Sequence, residues 1–148
     1  MEQAINLFFE GDIQRAEIRL KQLIKKRPKD SRVWFLKGLI ERAKGNNEEA
    51  LEALDKAVEI QEKFIEAWIL KGIVLRELKK FQDSLLAFNK AIEIQLIEND
   101  YEDYEILIEK AKTYFAMGKK KEAIDILKKV EEINPEDEDL KNMLSNLS

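Results

Sequence analysis

The sequence repeats itself at an interval of 34 residues. Segment 34–38, Trp-Phe-Leu-Lys-Gly, returns as Trp-Ile-Leu-Lys-Gly at 68–72. The agreement extends to residues 56–61, which match residues 90–95 at five of six positions. A fixed period of roughly 20 to 50 residues is typical of stacked structural repeats, in which each unit buries its apolar face against the next.

The repeated unit is predicted to be helical. Only 5 Gly and 2 Pro interrupt 148 residues, of which 38% are charged and 45% are apolar. Apolar residues recur three and four positions apart, as at Ile13, Ala16, Leu20 and Leu23, and this spacing places them on one face of a helix. The chain is therefore expected to fold as an all-α array.

Local signals mark the ends of these helices. Asp12 and Ser31 are predicted N-caps, because their short side chains accept hydrogen bonds from the first free backbone amides of a helix. Gly45 and Gly118 are predicted to end helices. Lys79 lies where the third repeat would have its turn glycine, so that turn is tighter or strained, or it needs no positive φ.

Composition limits the classes of function. The net charge of -4 argues against a dedicated nucleic-acid or anionic-membrane surface. The chain has no Cys and no His, and none of its apolar runs approaches the roughly 20 residues needed to span a bilayer. We find no phosphate-binding loop, catalytic motif or metal-binding motif. We expect a cytoplasmic protein that is not an enzyme and needs no cofactor or metal.

Two charged segments are candidate sites. The basic segment 25–29 resembles a localisation or nucleic-acid signal, but basic residues also stabilise a helix C-terminus, which we favour. The acidic segment 98–104 offers oxygen ligands but lacks the spacing and the glycine of a calcium loop. We interpret it as an acidic loop before a helix.

The repeats resemble those of the tetratricopeptide repeat family, whose pattern is W-x2-L-G-x2-Y, then A-x3-F, then P. Lysines replace the pattern's leucine, and Glu41 replaces its tyrosine. The residues that carry the resemblance in the second, third and fourth copies are Trp34, Gly38, Gly45, Ala50, Leu54 and Ala57; Trp68, Gly72, Ser84, Phe88 and Ala91; and Leu107, Ala111, Tyr114, Gly118, Ala123, Leu127, Val130 and Pro135.

The resemblance implies a right-handed α-α superhelix of about three and a half helix pairs plus a C-terminal capping helix. The predicted units are residues 1–30 (truncated), 31–64, 65–98 and 104–137, with an insertion at 99–103 and the capping helix at 138–148. Gly38 and Gly72 are expected to let the second helix of a pair approach the first. A bulky residue at Gly72 would overpack that crossing.

The family also implies a concave groove lined by the first helix of each pair. Its positions follow each tryptophan by one residue, then by four and three more, which keeps each set on one helix face. The predicted groove residues are Ile5, Phe8, Phe35, Leu39, Arg42, Ile69, Ile73, Arg76, Ile108, Lys112 and Phe115. Some members bind a C-terminal carboxylate through Lys and Asn residues on the groove face, and this chain lacks those residues at the corresponding positions.

Three interpretations of this apolar face remain open. The side chains pack between adjacent repeats, or they form a hydrophobic groove, or the chain fills or dimerises through that groove. Arg42, Arg76 and Lys112 at the margin would favour an amphipathic helix with acidic flanks. We predict a non-catalytic scaffold that binds another protein or peptide; the alternative is a structural module that forms homo-oligomers through its N-terminal or groove surface.

Overall fold

The computed structural model describes residues 1–99 and 103–147, and this part of the chain is helical without a strand. Its helices are α1 (Glu2–Phe9), α2 (Ile13–Lys26), α3 (Ser31–Ala43), α4 (Asn47–Ile60), α5 (Ile65–Glu77), α6 (Phe81–Asn99), α7 (Tyr104–Ala116), α8 (Lys120–Ile133) and α9 (Glu138–Leu147).

The helices stack in antiparallel pairs. Helices α1 and α2, α3 and α4, α5 and α6, and α7 and α8 pack as pairs, and each pair continues into the next through α2–α3, α4–α5, α6–α7 and α8–α9. The first helices also contact one another directly, α3 with α5 and α5 with α7. Because helices on the inner side of a curved stack lie closest together, the first helices line its inner surface.

The apolar core crosses the boundaries between pairs. One buried cluster joins Ala4 of α1 and Leu20 of α2 to Leu36 of α3. A second joins Leu54 of α4 to Leu70 of α5, and a third runs from α6 through α7 and α8 to Leu140 of α9. Each pair therefore depends on its neighbours for burial, as stacked repeats require. In α9, Met143, Leu144 and Leu147 also pack on the third cluster.

The pairs turn through one recurring backbone geometry. Gly11, Gly45 and Gly118 have φ of 83°, 83° and 76°, and Lys79 takes the same left-handed conformation at φ 61°. In the Gly45 turn, the amide of Asn46 donates to the carbonyl of Glu41, and the amide of Lys80 donates equivalently to Leu75. The possibility that the Lys79 turn needs no positive φ is wrong; a side chain adopts a conformation that favours glycine.

Aspartates cap the helix starts. Asp12 accepts a hydrogen bond from the amide of Arg15, as predicted. The prediction of Ser31 as an N-cap is wrong, because Asp30 takes that position and accepts from the amide of Arg32. Ser31 lies inside the first turn of α3, where its hydroxyl donates to Oε1 of Gln61 at the end of α4.

Two glycines set the distance between paired helices. A Cβ at Gly38 would lie 2.8 Å from Cγ of Leu54, and a Cβ at Gly72 would lie 2.7 Å from Cε1 of Phe88. These separations are shorter than non-bonded carbon atoms allow, so a Cβ at either position would force the facing side chain to move. The two glycines therefore allow the close approach, as predicted. Beside this crossing the hydroxyl of Ser84 donates to the carbonyl of Gly72.

The two tryptophans join each pair to the segment before it. The indole N–H of Trp34 donates to the carbonyl of Pro28 at 2.8 Å, and that of Trp68 donates to the carbonyl of Glu62 at 2.7 Å. Both acceptors lie six residues before the tryptophan, so the same hydrogen bond recurs one repeat later. Their rings pack partly buried at the joints between pairs.

Helix α6 departs from the common length. It has 19 residues, whereas α4 and α8 each have 14. The predicted insertion at 99–103 is therefore accommodated mainly by five additional helical residues, since α6 continues through Asn99. Residues 100–102 lie outside the described part of the chain, and Asp103 is the N-cap of α7.

The fourth pair suggests a test of the close crossing. Ala111 and Leu127 occupy positions 39 residues after Gly72 and Phe88 and are buried in the same cluster. We expect Gly72→Ala to lower the free energy of unfolding by about 1–3 kcal/mol, because its methyl group meets the Phe88 ring. Adding Phe88→Leu should cost less in that background than in the wild type.

Urea unfolding of the wild type, both single variants and the double variant measures this coupling. Simple additivity of the two single effects would contradict the assignment of Phe88 as the group that excludes a Cβ at position 72.

Candidate functional site

The predicted groove residues lie on the first helices, along the inner side of the stack. We call this surface the inner groove and define it by the predicted residues on α1, α3, α5 and α7. Nine of the eleven are partly buried, and Lys112 and Phe115 are exposed. Phe115 is the most open of the apolar ones, with 53% of its surface accessible.

The groove side chains of α3 pack on the next repeat. The ring of Phe35 lies 5.0 Å from the ring of Phe64, which precedes α5. Phe35, Leu39 and Phe64 all pack against the buried cluster around Leu54. These residues join two repeats and also retain an accessible edge.

A distinct depression of about 370 Å³ lies between α5 and α7. Its apolar lining comes from Ile69 and Ile73 of α5 and from Ile106 and Ile108 of α7. Asp103, Glu105, Glu109 and Lys112 complete its wall. The predicted residues Ile69, Ile73, Ile108 and Lys112 are thus brought together around one cavity, and the start of α7 adds acidic groups that the pattern did not predict.

A second depression, of about 270 Å³, lies between α7, α8 and α9. Phe115, Leu127, Met143 and Leu147 give it an apolar lining, and Lys112 borders both depressions. The two cavities therefore follow one another along α7. The predicted groove residues did not include Met143 and Leu147, which line this second cavity from α9.

Ion pairs connect the first helices across the inner groove. The guanidinium of Arg42 on α3 donates to both carboxylate oxygens of Glu77 on α5, at 3.0 and 3.1 Å from Nε. Arg76 on α5 donates to Oε2 of Glu109 on α7 at 2.7 Å, and Lys112 donates to Oε1 of the same carboxylate at 2.6 Å. The three predicted marginal cations are therefore each engaged by a carboxylate.

Glu109 and Arg76 are the most enclosed members of this network. Their side chains each expose 18% of their surface. Partial burial by itself raises the pKa of Glu109, but the hydrogen bonds from Lys112 and Arg76 outweigh it and hold that pKa below the usual value for glutamate. The carboxylate is therefore ionised wherever the unfolded chain would ionise it.

The acidic partners were missed from the sequence. A signal existed for one pair only, because Glu77 follows Arg42 by 35 residues, one more than the repeat period. Glu109 follows Arg76 by 33 residues, but α7 is offset from α5 by 39 residues, so the repeat period does not predict this second pair. The tryptophan and glycine pattern does not include these positions.

The other charged segments form no such network. Within residues 1–99 and 103–147, no group of three or more His, Cys, Asp or Glu side chains is arranged to hold a metal ion. The basic segment 25–29 is exposed at the end of α2. The acidic segment 98–104 lies partly outside the described residues. No helix of the described chain is long and apolar enough to cross a bilayer.

Comparisons with known proteins agree with this architecture. Residues 1–63 and residues 75–147 match family models described as tetratricopeptide repeat. No curated protein sequence matches the chain.

Many solved structures are similar in fold, and three of them serve as examples. The thermophilic TPR protein TTC0263 of Thermus thermophilus superposes with a TM-score of 0.77 at 22% identity, covering 97% of this chain and 77% of that one. YrrB, described as a TPR protein with an unusual peptide-binding site, gives 0.80 at 17%, covering 97% and 71%. PilF of Pseudomonas aeruginosa gives 0.85 at 14%, covering 99% and 64%. The prediction of a right-handed α-α superhelix is confirmed.

The ion network predicts a specific acid sensitivity. Because the folded-state pKa of Glu109 is depressed, its contribution to stability is present above the unfolded pKa and is lost as the pH falls through the folded pKa. We expect Glu109→Gln to cost about 1–3 kcal/mol at neutral pH, since Arg76 loses its ionised partner.

Urea unfolding at a series of pH values from neutral to acid measures both effects. The difference in the free energy of unfolding between the wild type and Glu109→Gln should narrow as the pH falls below the ordinary glutamate pKa. The control is Glu52→Gln at an exposed position in the middle of α4, for which we expect little change. A difference that stays constant through this range would contradict the assignment.

Proposed function

We propose that this chain, which belongs to the tetratricopeptide repeat family, is a protein-interaction scaffold that binds a peptide or an amphipathic helix in its inner groove. The observation that carries the proposal is the pair of apolar depressions along α7. Apolar surface that stays accessible in a folded chain marks an interaction site more often than ordinary surface does.

The shape of this surface suits an extended or helical segment. The two depressions follow one another along α7, and Lys112 lies at the margin of both. A groove between packed helices accepts the apolar face of a partner helix through anchors spaced three and four residues apart. Rigid helices present the site, so little conformational entropy is lost on binding.

Phe115 offers the sharpest test of the groove. It exposes 53% of its surface, so Phe115→Glu adds a charge to the groove at little expected cost to folding. Probe peptides are first selected with the wild-type protein from a displayed library of random peptides of about 16 residues, long enough for four helical turns. We expect the selected peptides to bind with a Kd of about a micromolar.

Fluorescence polarisation then compares the variants. Phe115→Glu and Ile73→Glu should each abolish binding, whereas the control Ile133→Glu should not. Ile133 exposes 58% of its surface but lies on α8, a second helix outside the inner groove. Circular dichroism shows whether each variant remains helical. Full binding by a folded Phe115→Glu, Ile73→Glu double variant would exclude the inner groove as the binding site.

Self-association is a second candidate, favoured by two observations. Phe9 of α1 exposes 75% of its surface, and its ring packs at 5.3 Å against the ring of Phe8. Charge is also divided along the chain: residues 1–44 carry 11 basic and 6 acidic residues, and residues 45–148 carry 15 and 24. Opposite ends of two copies therefore attract one another.

Sedimentation velocity across a concentration series tests this second candidate. If the chain self-associates, a dimer should form at low salt, and Phe9→Glu should shift it to monomer. The control Ile133→Glu should leave the dimer intact. A monomer at all concentrations and salt conditions would exclude this candidate.

A further inference from the structure

We infer that the segment bound by the inner groove belongs to another protein, is apolar along its length and carries basic residues at one end. This inference rests on the proposed function and adds the chemistry of the partner. It reverses the expectation of a partner with acidic flanks, which the sequence positions of Arg42, Arg76 and Lys112 had favoured.

The expected attraction for acidic flanks is weakened because the groove cations already have carboxylate partners. Arg42 is held by Glu77, and Arg76 and Lys112 share Glu109. A partner carboxylate would have to displace a carboxylate that is already fixed in place. The gain from such an exchange is small, since one ion pair is lost for each one formed.

The start of α7 has the opposite character. Asp103 and Glu105 line the depression between α5 and α7. Among residues 1–99 and 103–147, neither has a basic side chain within ion-pair distance, although Asp103 accepts hydrogen bonds from the amide of Glu105 and from Nε2 of Gln95. Their negative charge is therefore not neutralised within the described chain.

The sequence around this end reinforces that charge. Residues 91–109 contain seven acidic residues and no basic one. Three of the seven are paired with basic side chains outside this segment, so the unpaired charge described here is that of Asp103 and Glu105. An uncompensated negative field at one end of an apolar groove attracts a basic partner end and raises its association rate. The acids also stabilise the N-terminus of α7 through the helix dipole, so stability has to be measured with binding.

The arrangement fixes where the partner's charges lie. Ile108 borders the first depression and Phe115 the second, whereas Glu105 lies one turn before Ile108. From Glu105 to Phe115 the α7 axis extends about 15 Å at 1.5 Å per residue. A partner helix of about three turns therefore places its basic residues beside Glu105 and its apolar anchors along the rest of the groove.

A second copy of this chain fits less well. Its most basic segment, residues 13–29, has seven basic residues and one acidic residue. Within that segment, Ile18 is the one exposed large apolar side chain of α2. A single anchor does not fill two depressions, so we assign the groove to a different protein.

The test uses two double variants, each of which replaces one Asp and one Glu by the corresponding uncharged amide. Asp103→Asn, Glu105→Gln removes two charges from the groove and keeps a good N-cap, since Asn caps helices as well as Asp. Asp125→Asn, Glu132→Gln removes two charges of the same types from exposed positions on α8, outside the groove. Thermal melting followed by circular dichroism establishes that both proteins fold.

The probes are the displayed random peptides of about 16 residues described above, selected separately on wild type and on each variant. Peptides selected on the wild type should combine an apolar repeat of three and four with Lys or Arg clustered at one end. Their affinity should fall about 3- to 10-fold for Asp103→Asn, Glu105→Gln at low salt, and less at high salt. It should stay within about twofold for the α8 control.

Other outcomes overturn the inference in distinguishable ways. Peptides with acidic or uncharged ends, or equal losses in both double variants, would exclude a basic-ended partner and leave groove binding intact. Failure to select any peptide that depends on Phe115 would exclude the proposed function as well. A wild-type dimer that dissociates with Phe115→Glu would show that a second copy occupies the groove.

Discussion

The close crossing of the paired helices is the constraint on which the rest of the structure depends. Gly38 and Gly72 bring the first helix against Leu54 and Phe88 of the second, at distances that leave no room for a Cβ. The two helices of a pair therefore lie close together, and the pair buries apolar residues against its neighbours on both faces. The inner groove follows from this arrangement, because the first helices then lie close enough to touch.

Much of this fold could be predicted because its determinants recur at a fixed interval. The glycines and tryptophans lie 34 residues apart, and each makes the same contact in its own repeat. The conformation of Lys79 could not be predicted, because the backbone hydrogen bonds of the turn, rather than the side chain, impose the positive φ. The length of α6 could not be predicted either, since a five-residue offset in the pattern does not say whether the residues extend a helix or a loop.

The candidate site was less predictable than the fold. The positions of Ile69, Ile73 and Ile108 around one depression follow from helix geometry, and their role in binding remains a prediction. The charge of the groove was not predictable from those positions, because it depends on which carboxylates reach Arg42 and Arg76 from a neighbouring helix. The charge of the groove therefore depends on contacts between two repeats, whereas its apolar character follows from the residue type at each single position.

The indole hydrogen bonds have a consequence for how the molecule can be observed. The chain's two tryptophans lie at joints in its first half, and the fourth pair has Leu107 in the corresponding position. Intrinsic fluorescence therefore follows the joints around α3 and α5, whereas circular dichroism follows every helix. Stacked repeats need not unfold in one step. If the halves of the stack on either side of α6 unfold separately, the two signals have different unfolding midpoints. The difference between these midpoints measures how weakly the two halves are coupled.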